Sequence, residues 1–144
     1  MELTVEVVLP GAPADVAPWV DSLSSYPQWM SLVHRAVPEA DVPAWSVELR
    51  ARIGPLARSK RLRMERTTDS PQLVVFERKE NDGRDHAAWR MTCTMVEKGE
   101  NVVMRVELYY GGALWTGGIL EKVLADHIER GRENLWALVS VSGR

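Results

Sequence analysis

The chain has 144 residues, of which 45% are hydrophobic and 26% are charged, and its formal net charge is −2. This length and composition predict one soluble globular domain spanning residues 1–144, with enough apolar side chains for a core. The small negative charge argues against general attraction to nucleic acid or anionic lipid. The single cysteine, Cys93, excludes an internal disulfide and is consistent with a reducing, cytoplasmic location.

Several classes of site and segment have no signal in this sequence. Residues 1–8 are acidic and alternate between apolar and polar side chains, unlike a signal peptide. The sequence contains no run of about 18 apolar residues, the length needed to span a membrane. The sequence contains no phosphate-binding loop with a lysine, no paired-cysteine metal motif and no nucleophile elbow. We therefore predict no metal, no cofactor, no nucleic-acid partner and no transmembrane segment.

The first part of the chain predicts a strand followed by two short helices. Residues 2–9 alternate in polarity, which is typical of a strand, and the strand ends at Pro10. Apolar side chains then recur at helical spacing up to Leu23 and predict a short helix. Residues 24–27 break that helix, and residues 28–33 predict a second one. This order places both helices at one open edge, or mouth, of the sheet.

The middle of the chain predicts five further strands, joined by turns rich in glycine, proline and aspartate. They span residues 45–53, 58–68, 73–78, 86–96 and 102–110. Matching apolar with apolar and acidic with basic positions sets Val47 opposite Met64 and Trp45 opposite Arg66. In the last hairpin the same argument sets Trp89 opposite Leu108.

The last stretch, residues 111–142, predicts a long amphipathic helix. Its apolar positions recur at the spacing of one helix face: Ile119, Leu120, Val123, Leu124, Ile128, Leu135, Leu138 and Val139. A helix so long and one-sided needs a broad apolar surface, which the alternating strands supply. The fold class is therefore α+β, with a curved antiparallel sheet of about six strands around a long C-terminal helix.

Four segments resemble the START-like or Bet v 1-like (SRPBCC) superfamily, and in particular its polyketide cyclase/dehydrase group. They are the strand ending in Pro10, the segment Leu-Ser-Ser-Tyr-Pro-Gln-Trp-Met at 23–30, the hairpin turn at Gly54, and Gly-Gly-Ala-Leu-Trp-Thr-Gly-Gly at 111–118. The resemblance covers essentially the whole chain and is strongest to small actinobacterial members. It implies a helix-grip fold with two short helices after the first strand.

The resemblance also implies an apolar ligand cavity between the sheet and the C-terminal helix. The inward positions expected to bind the ligand are Tyr26, Trp45, Val47, Leu49, Leu62, Met64, Arg66, Trp89, Met91, Met104, Val106, Leu108, Leu120, Val123, Leu124 and His127. Gly131 would lie beside them and permit a kink or a close approach in mid-helix.

Two of these residues are the candidates for catalysis. Arg66 aligns with a pocket arginine of the aromatase/cyclases, where a guanidinium would stabilise a developing enolate or oxyanion, and Trp45 would stack on it. The alternative is that Arg66 extends to solvent from the strand end. His127 is a candidate acid or base with no visible partner, and the alternative is a hydrogen-bonded boundary residue. Tyr26 either closes the mouth or holds the two short helices together.

Three functions remain open at this stage. The first is binding of a hydrophobic or aromatic small molecule, such as a lipid, polyketide or isoprenoid. The second is a polyketide cyclase/aromatase/dehydrase-like enzyme acting by confinement, with an acyl carrier protein as a possible partner. The third is an interaction module, such as a chaperone activator or toxin-like regulator. It would use the basic hairpin, here meaning Arg50, Arg52, Arg58, Lys60, Arg61, Arg63 and Arg66. The protein is expected to be a monomer or a homodimer.

Overall fold

The computed structural model describes residues 1–53, 55–112 and 119–142 and is consistent with the predicted α+β helix-grip architecture. The elements, in chain order, are β1 (Glu2–Pro10), α1 (Pro13–Val20), a 3₁₀ helix (Leu23–Gln28), β2 (Val33–Pro38), β3 (Ala44–Ile53), β4 (Leu56–Ser70), β5 (Leu73–Arg78), β6 (Trp89–Lys98), β7 (Asn101–Tyr110) and α2 (Ile119–Ser142). The strands form one curled sheet in the order β1-β7-β6-β5-β4-β3-β2, and every neighbouring pair is antiparallel.

The sheet buries one face and exposes the other, as the alternating sequence predicts. On β6 the side chains of Trp89, Met91, Cys93 and Met95 are buried, whereas Arg90 between them is exposed. Because successive side chains of a strand point to opposite faces, this pattern directs one apolar row of each strand into a common core. Within the described residues, no helix is both long enough and apolar enough to cross a membrane.

The segment between α1 and β3 differs from the sequence prediction. The second helix is a 3₁₀ turn at Leu23–Gln28, earlier than the predicted 28–33, and the chain then forms an additional strand, β2, so the described sheet has seven strands. β2 is an edge strand with a register irregularity between Val33 and Arg35, and only Val33 in it is buried. An edge strand with a single buried residue has no period-two hydrophobic pattern, which is why the sequence does not reveal it.

The two predicted hairpin registers are each wrong by two residues. Trp45 lies opposite Met64 rather than Arg66, Val47 lies opposite Leu62, and Trp89 lies opposite Tyr110. Each hairpin closes through a shorter turn than the sequence suggests. In the last hairpin, Lys98 pairs with Asn101, so Gly99 and Glu100 form a two-residue turn. Gly99 has a positive φ of 60° in this turn. A slip of two residues keeps every side chain on its own face, so the predicted inward positions are unaffected.

Helix α2 packs against β1 and α1. It also contacts Trp29 and Ser31 of the segment before β2. Asn134 Nδ2 donates to the Trp29 carbonyl oxygen at 3.4 Å, and His127 Nδ1 lies 2.8 Å from Ser31 Oγ. A Cβ atom on Gly131 would lie only 2.9 Å from the same Trp29 carbonyl. The mid-helix glycine therefore permits the close approach that its position in the sequence suggested.

His127 is a buried boundary residue with a hydrogen-bonding partner that the sequence does not show. Its side chain is 8% exposed and pairs with Ser31. Burial, with a smaller contribution from nearby Arg130, lowers the pKa of His127, although Asp126 acts in the opposite direction. The neutral imidazole is thus favoured in the folded protein, and one ring nitrogen is committed to joining α2 to the Ser31 segment.

Gly131→Ala is expected to destabilise the protein by about 1–2 kcal/mol, measured by chemical denaturation, although alanine is the better helix former. The added methyl group would push against the backbone oxygen of Trp29, which cannot rotate away as a flexible side chain would. Glu133→Ala, at an exposed position two residues later on α2, is the control and should change stability by less than about 0.5 kcal/mol. Equal stability of Gly131→Ala and the wild type would contradict the close approach.

Candidate functional site

A cavity lies between the buried face of the sheet, the segment 23–33 and helix α2. Its free volume is about 60 Å³, and its lining residues are Leu23, Tyr26, Met30, Leu32, Val33, Val47, Leu49, Leu62, Met64, Trp89, Arg90, Met91, Leu108 and Leu124. Ligand pockets typically have volumes of about 300–1,000 Å³, so the cavity in this conformation has room for a few water-sized molecules at most. Its wall is nearly all apolar, which disfavours occupation by water.

The cavity is positioned by the inward rows of β3, β4, β6 and β7. Alternating residues on each strand reach its wall, and Leu124 of α2 closes the opposite side. Met30, Met64 and Met91 are three of the six methionines of the chain. Methionine has three rotatable bonds and fills irregular gaps, so a wall rich in methionine changes shape at low cost.

The structure brings most of the predicted ligand-binding residues to this cavity. The wall includes Tyr26, Val47, Leu49, Leu62, Met64, Trp89, Met91, Leu108 and Leu124. The predicted positions that the described wall does not include are Trp45, Arg66, Met104, Val106, Val123 and His127, and the side chain of Leu120 lies outside the described residues.

Sequence reasoning placed the two short helices at the mouth of the cavity but did not name their wall residues, which are Leu23, Met30, Leu32 and Val33. These residues were assigned to two short helices, and their apolar character was the only available signal. Arg90 also contributes to the wall, but its side chain is exposed and its guanidinium lies 5.1 Å from the centre of the Tyr109 ring.

Arg66 occupies a structural position beside the cavity. Its guanidinium lies over the Trp45 ring, 5.7 Å from the ring centre, as the sequence suggested. Nη1 donates to the backbone oxygen of Asp21 at 2.6 Å, and Nε lies 3.6 Å from Asp69. The side chain is 24% exposed, so the charge is partly solvated. These contacts join β4 to the end of α1. They bind the guanidinium to Asp21 and Asp69, which are not part of the described cavity wall.

Tyr26 and Cys93 form a buried polar contact at the cavity wall. Tyr26 Oη donates to the Val20 backbone oxygen at 2.9 Å and lies 3.7 Å from Cys93 Sγ. Burial raises the pKa of Tyr26 well above its usual value and raises that of the Cys93 thiol to about 11. Both groups are therefore neutral near pH 7, and Cys93 lacks the thiolate character that a nucleophile needs. Tyr26 serves here to hold α1 and the 3₁₀ helix against the sheet.

Three buried tryptophans near the cavity differ in how their indole N–H groups are satisfied. Trp29 Nε1 donates to the Trp19 backbone oxygen and Trp45 Nε1 donates to Ser24 Oγ, both at 2.9 Å. Trp89 Nε1 is buried and has no hydrogen-bond partner in the described part of the chain. Its ring stacks on Tyr110, with the ring centres 4.5 Å apart. Trp89 is thus the one cavity-wall residue here that carries an unused buried donor.

The basic hairpin is partly neutralised by acidic neighbours. Arg63 binds Glu39 at 2.6 Å and Glu65 at 2.9 Å, and Arg50 binds Glu48 at 3.2 Å. The hydrogen bond to Glu39, with the contribution of Glu65, raises the pKa of the Arg63 guanidinium against the smaller opposing effect of burial. Across residues 1–53, 55–112 and 119–142, no group of three or more His, Cys, Asp or Glu side chains is arranged to hold a metal ion.

Solved structures with the same fold cover nearly the whole chain at low sequence identity. A START superfamily protein from Mycobacterium smegmatis is 13% identical, with a TM-score of 0.74 and 97% of each chain covered. A conserved protein from Geobacillus kaustophilus is 12% identical, with a TM-score of 0.77, over 99% of this chain and 97% of that one. The di-domain ARO/CYC StfQ from the steffimycin biosynthetic pathway is 15% identical, with a TM-score of 0.68, over 98% of this chain and 51% of StfQ.

No curated protein matches the sequence. A family model, described as polyketide cyclase / dehydrase and lipid transport, matches residues 1–140. Since that match covers nearly all of the 144 residues and agrees with the helix-grip architecture, the chain belongs to the polyketide cyclase/dehydrase and lipid transport family.

Proposed function

We propose that the protein binds a hydrophobic small molecule, such as a lipid, a polyketide or an isoprenoid-like compound, in the cavity between the sheet and α2. The observation that carries this proposal is the apolar wall itself, to which β3, β4, β6, β7, α2 and the segment 23–33 all contribute. Membership of a family described by cyclisation and lipid transport supports the same class of ligand.

A ligand of ordinary size requires the cavity to expand from its free volume of about 60 Å³. Met30, Met64 and Met91 supply that freedom, because unbranched side chains change rotamer without displacing the backbone that carries them. The affinity would come from apolar burial, at about 25 cal/mol per Å² before the ordering costs of binding are subtracted.

The second candidate is a cyclase-type enzyme that folds a reactive poly-ketone by confinement. The position of Arg66 favours this candidate. Arg66 lies over Trp45, and Trp45 is the cross-strand neighbour of Met64, which is part of the cavity wall. In this mechanism the guanidinium would leave the Asp21 carbonyl and stabilise enolate character in the substrate. The contacts of Arg66 favour the ligand-binding function over the enzymatic one, because the guanidinium is already bound to Asp21 and Asp69 in the absence of a ligand.

Side chains that fill the cavity should block binding. Leu124→Trp and Leu49→Phe are expected to lower the affinity for an apolar ligand at least tenfold, because each places extra volume in the wall. Native mass spectrometry of the purified protein identifies any apolar molecule that it retains, and a thermal-shift screen identifies any that raises its melting temperature. The wild type and the variants are then titrated with that molecule. Glu133→Trp, at an exposed position of α2, adds the same ring outside the cavity and is the control.

Binding that survives both cavity variants, or that is lost equally in Glu133→Trp, would contradict the cavity as the site. Leu49 is only partly buried, so Leu49→Phe remains informative if Leu124→Trp fails to fold. A wild-type protein that retains nothing and responds to no lipid or polyaromatic compound would contradict the proposed function. The basic hairpin and a macromolecular partner, including an acyl carrier protein, would then be tested by charge reversal at Arg61.

Arg66→Met separates the two candidates. If the protein only binds its ligand, this variant should keep the affinity within about twofold of wild type, while losing about 1–2 kcal/mol of stability with its hydrogen bond to Asp21. If Arg66 stabilises an enolate, turnover of a poly-ketone substrate should fall by a factor of a hundred or more. Isothermal titration and a cyclisation assay, run on the same preparations, give the two readouts. Turnover by the wild type that is lost in Arg66→Met would favour the enzyme.

A further inference from the structure

The positive charge of the protein is concentrated in one hairpin. Residues 49–64 contain six of the 18 Lys and Arg residues and no Asp or Glu, which leaves 12 basic against 20 acidic side chains in the rest of the chain. Two of the six, Arg50 and Arg63, are already bound to acidic neighbours. A positive region on a protein of net negative charge is typical of a surface that attracts an acidic partner.

The outer face of β2, β3 and β4 carries a row of three charged residues. Arg35, Glu48 and Arg61 are cross-strand neighbours, and the spacing of adjacent strands puts the backbones at the two arginines about 10 Å apart. The Glu48 carboxylate lies 3.2 Å from Arg50 Nη2. Arg35 and Arg61 are exposed, and neither forms a salt bridge with a residue that the structure describes.

An open depression of about 240 Å³ adjoins these two arginines. Its lining residues are Arg35, Val37, Ser46, Val47, Glu48 and Arg61. Val37 is 42% exposed and lies opposite the small side chain of Ser46, so apolar surface is accessible beside both guanidinium groups. A partner that matches this surface brings an apolar side chain together with carboxylates.

The carboxylates on this face argue against a phosphate-rich partner. Glu48 lies between Arg35 and Arg61, and Glu65 is bound to Arg63 in the neighbouring row. A nucleic-acid backbone or an anionic membrane would bring a continuous array of negative charge against both carboxylates. Two separate carboxylates of a peptide would instead each meet one arginine and pass on either side of Glu48.

We propose that the outer face of β2, β3 and β4 docks an acidic peptide segment of a partner protein, in which two Asp or Glu residues flank an apolar residue. Arg35 and Arg61 bind the carboxylates, and the apolar side chain occupies the depression over Val37 and Ser46. This interaction goes beyond the proposed small-molecule function. It is independent of that function, because the docking face and the cavity lie on opposite sides of the sheet.

Selection of random peptides of about 12 residues, displayed on phage, against the 144-residue chain tests the proposal. Enriched sequences should carry at least two Asp or Glu residues close to an apolar residue. In titrations with an enriched synthetic peptide, Arg35→Gln and Arg61→Gln should each weaken binding about three- to fivefold, and the double variant about tenfold. Glu48→Gln should strengthen binding about twofold, because it removes a repelling carboxylate. Lys122→Gln, which removes the same charge at an exposed position of α2, is the control and should bind as the wild type does.

Three results would overturn the docking face. They are no enrichment above background, enrichment of peptides without acidic residues, and unchanged affinity in the double variant. The proposal also fails if oligothymidine or phosphatidylserine vesicles bind the wild type through Arg35 and Arg61 more tightly than the peptide does. Because both arginines are exposed, the variants should melt within about 3 °C of the wild type.

A second measurement on the wild type keeps the proposal testable if the double variant does not fold. In carbon-proton correlation spectra, the enriched peptide should shift the methyl signals of Val37, which lines the depression. The methyl signals of Val96, which is similarly exposed on β6, should not move. Saturable peptide binding that leaves Val37 unperturbed would overturn the docking face.

Discussion

The architecture depends on covering a wide apolar sheet face with one helix and one short segment. Helix α2 approaches β1 and α1 closely, and the Trp29 carbonyl sits against Gly131, so the helix backbone is fixed along one side of the sheet. The inward faces of β3, β4 and β6 must then be filled by long side chains and by the segment before β2. Methionines and leucines of these strands and of that segment line the cavity.

The polar groups around the cavity are mostly used for holding the layers together. Tyr26 joins the helical segment to Val20, Arg66 joins β4 to Asp21, and His127 joins α2 to Ser31. Arg66 and His127 were the candidates for catalysis, and both, like Tyr26, are engaged in a structural contact. The described wall is left with an apolar surface, which suits binding of an apolar molecule better than acid–base catalysis.

Much of this fold follows from the sequence because strong periodic patterns dominate it. The alternation in β6 and the helical spacing of α2 identify the two faces, and a register error of two residues leaves those faces unchanged. β2 was missed because an edge strand with one buried residue has no periodic signal. The engagement of Arg66 by Asp21 was not predictable either, since it depends on how the end of α1 meets β4 in three dimensions.

The most direct test of the cavity as a ligand site is a carbon-proton correlation spectrum of the methionine methyl groups, recorded during titration with an apolar ligand. Met30, Met64 and Met91 line the cavity, whereas Met95 and Met104 are also buried but lie outside its described wall. The account predicts large shifts of the first three signals and small shifts of the other two. Saturable binding that leaves Met30, Met64 and Met91 unperturbed would contradict it.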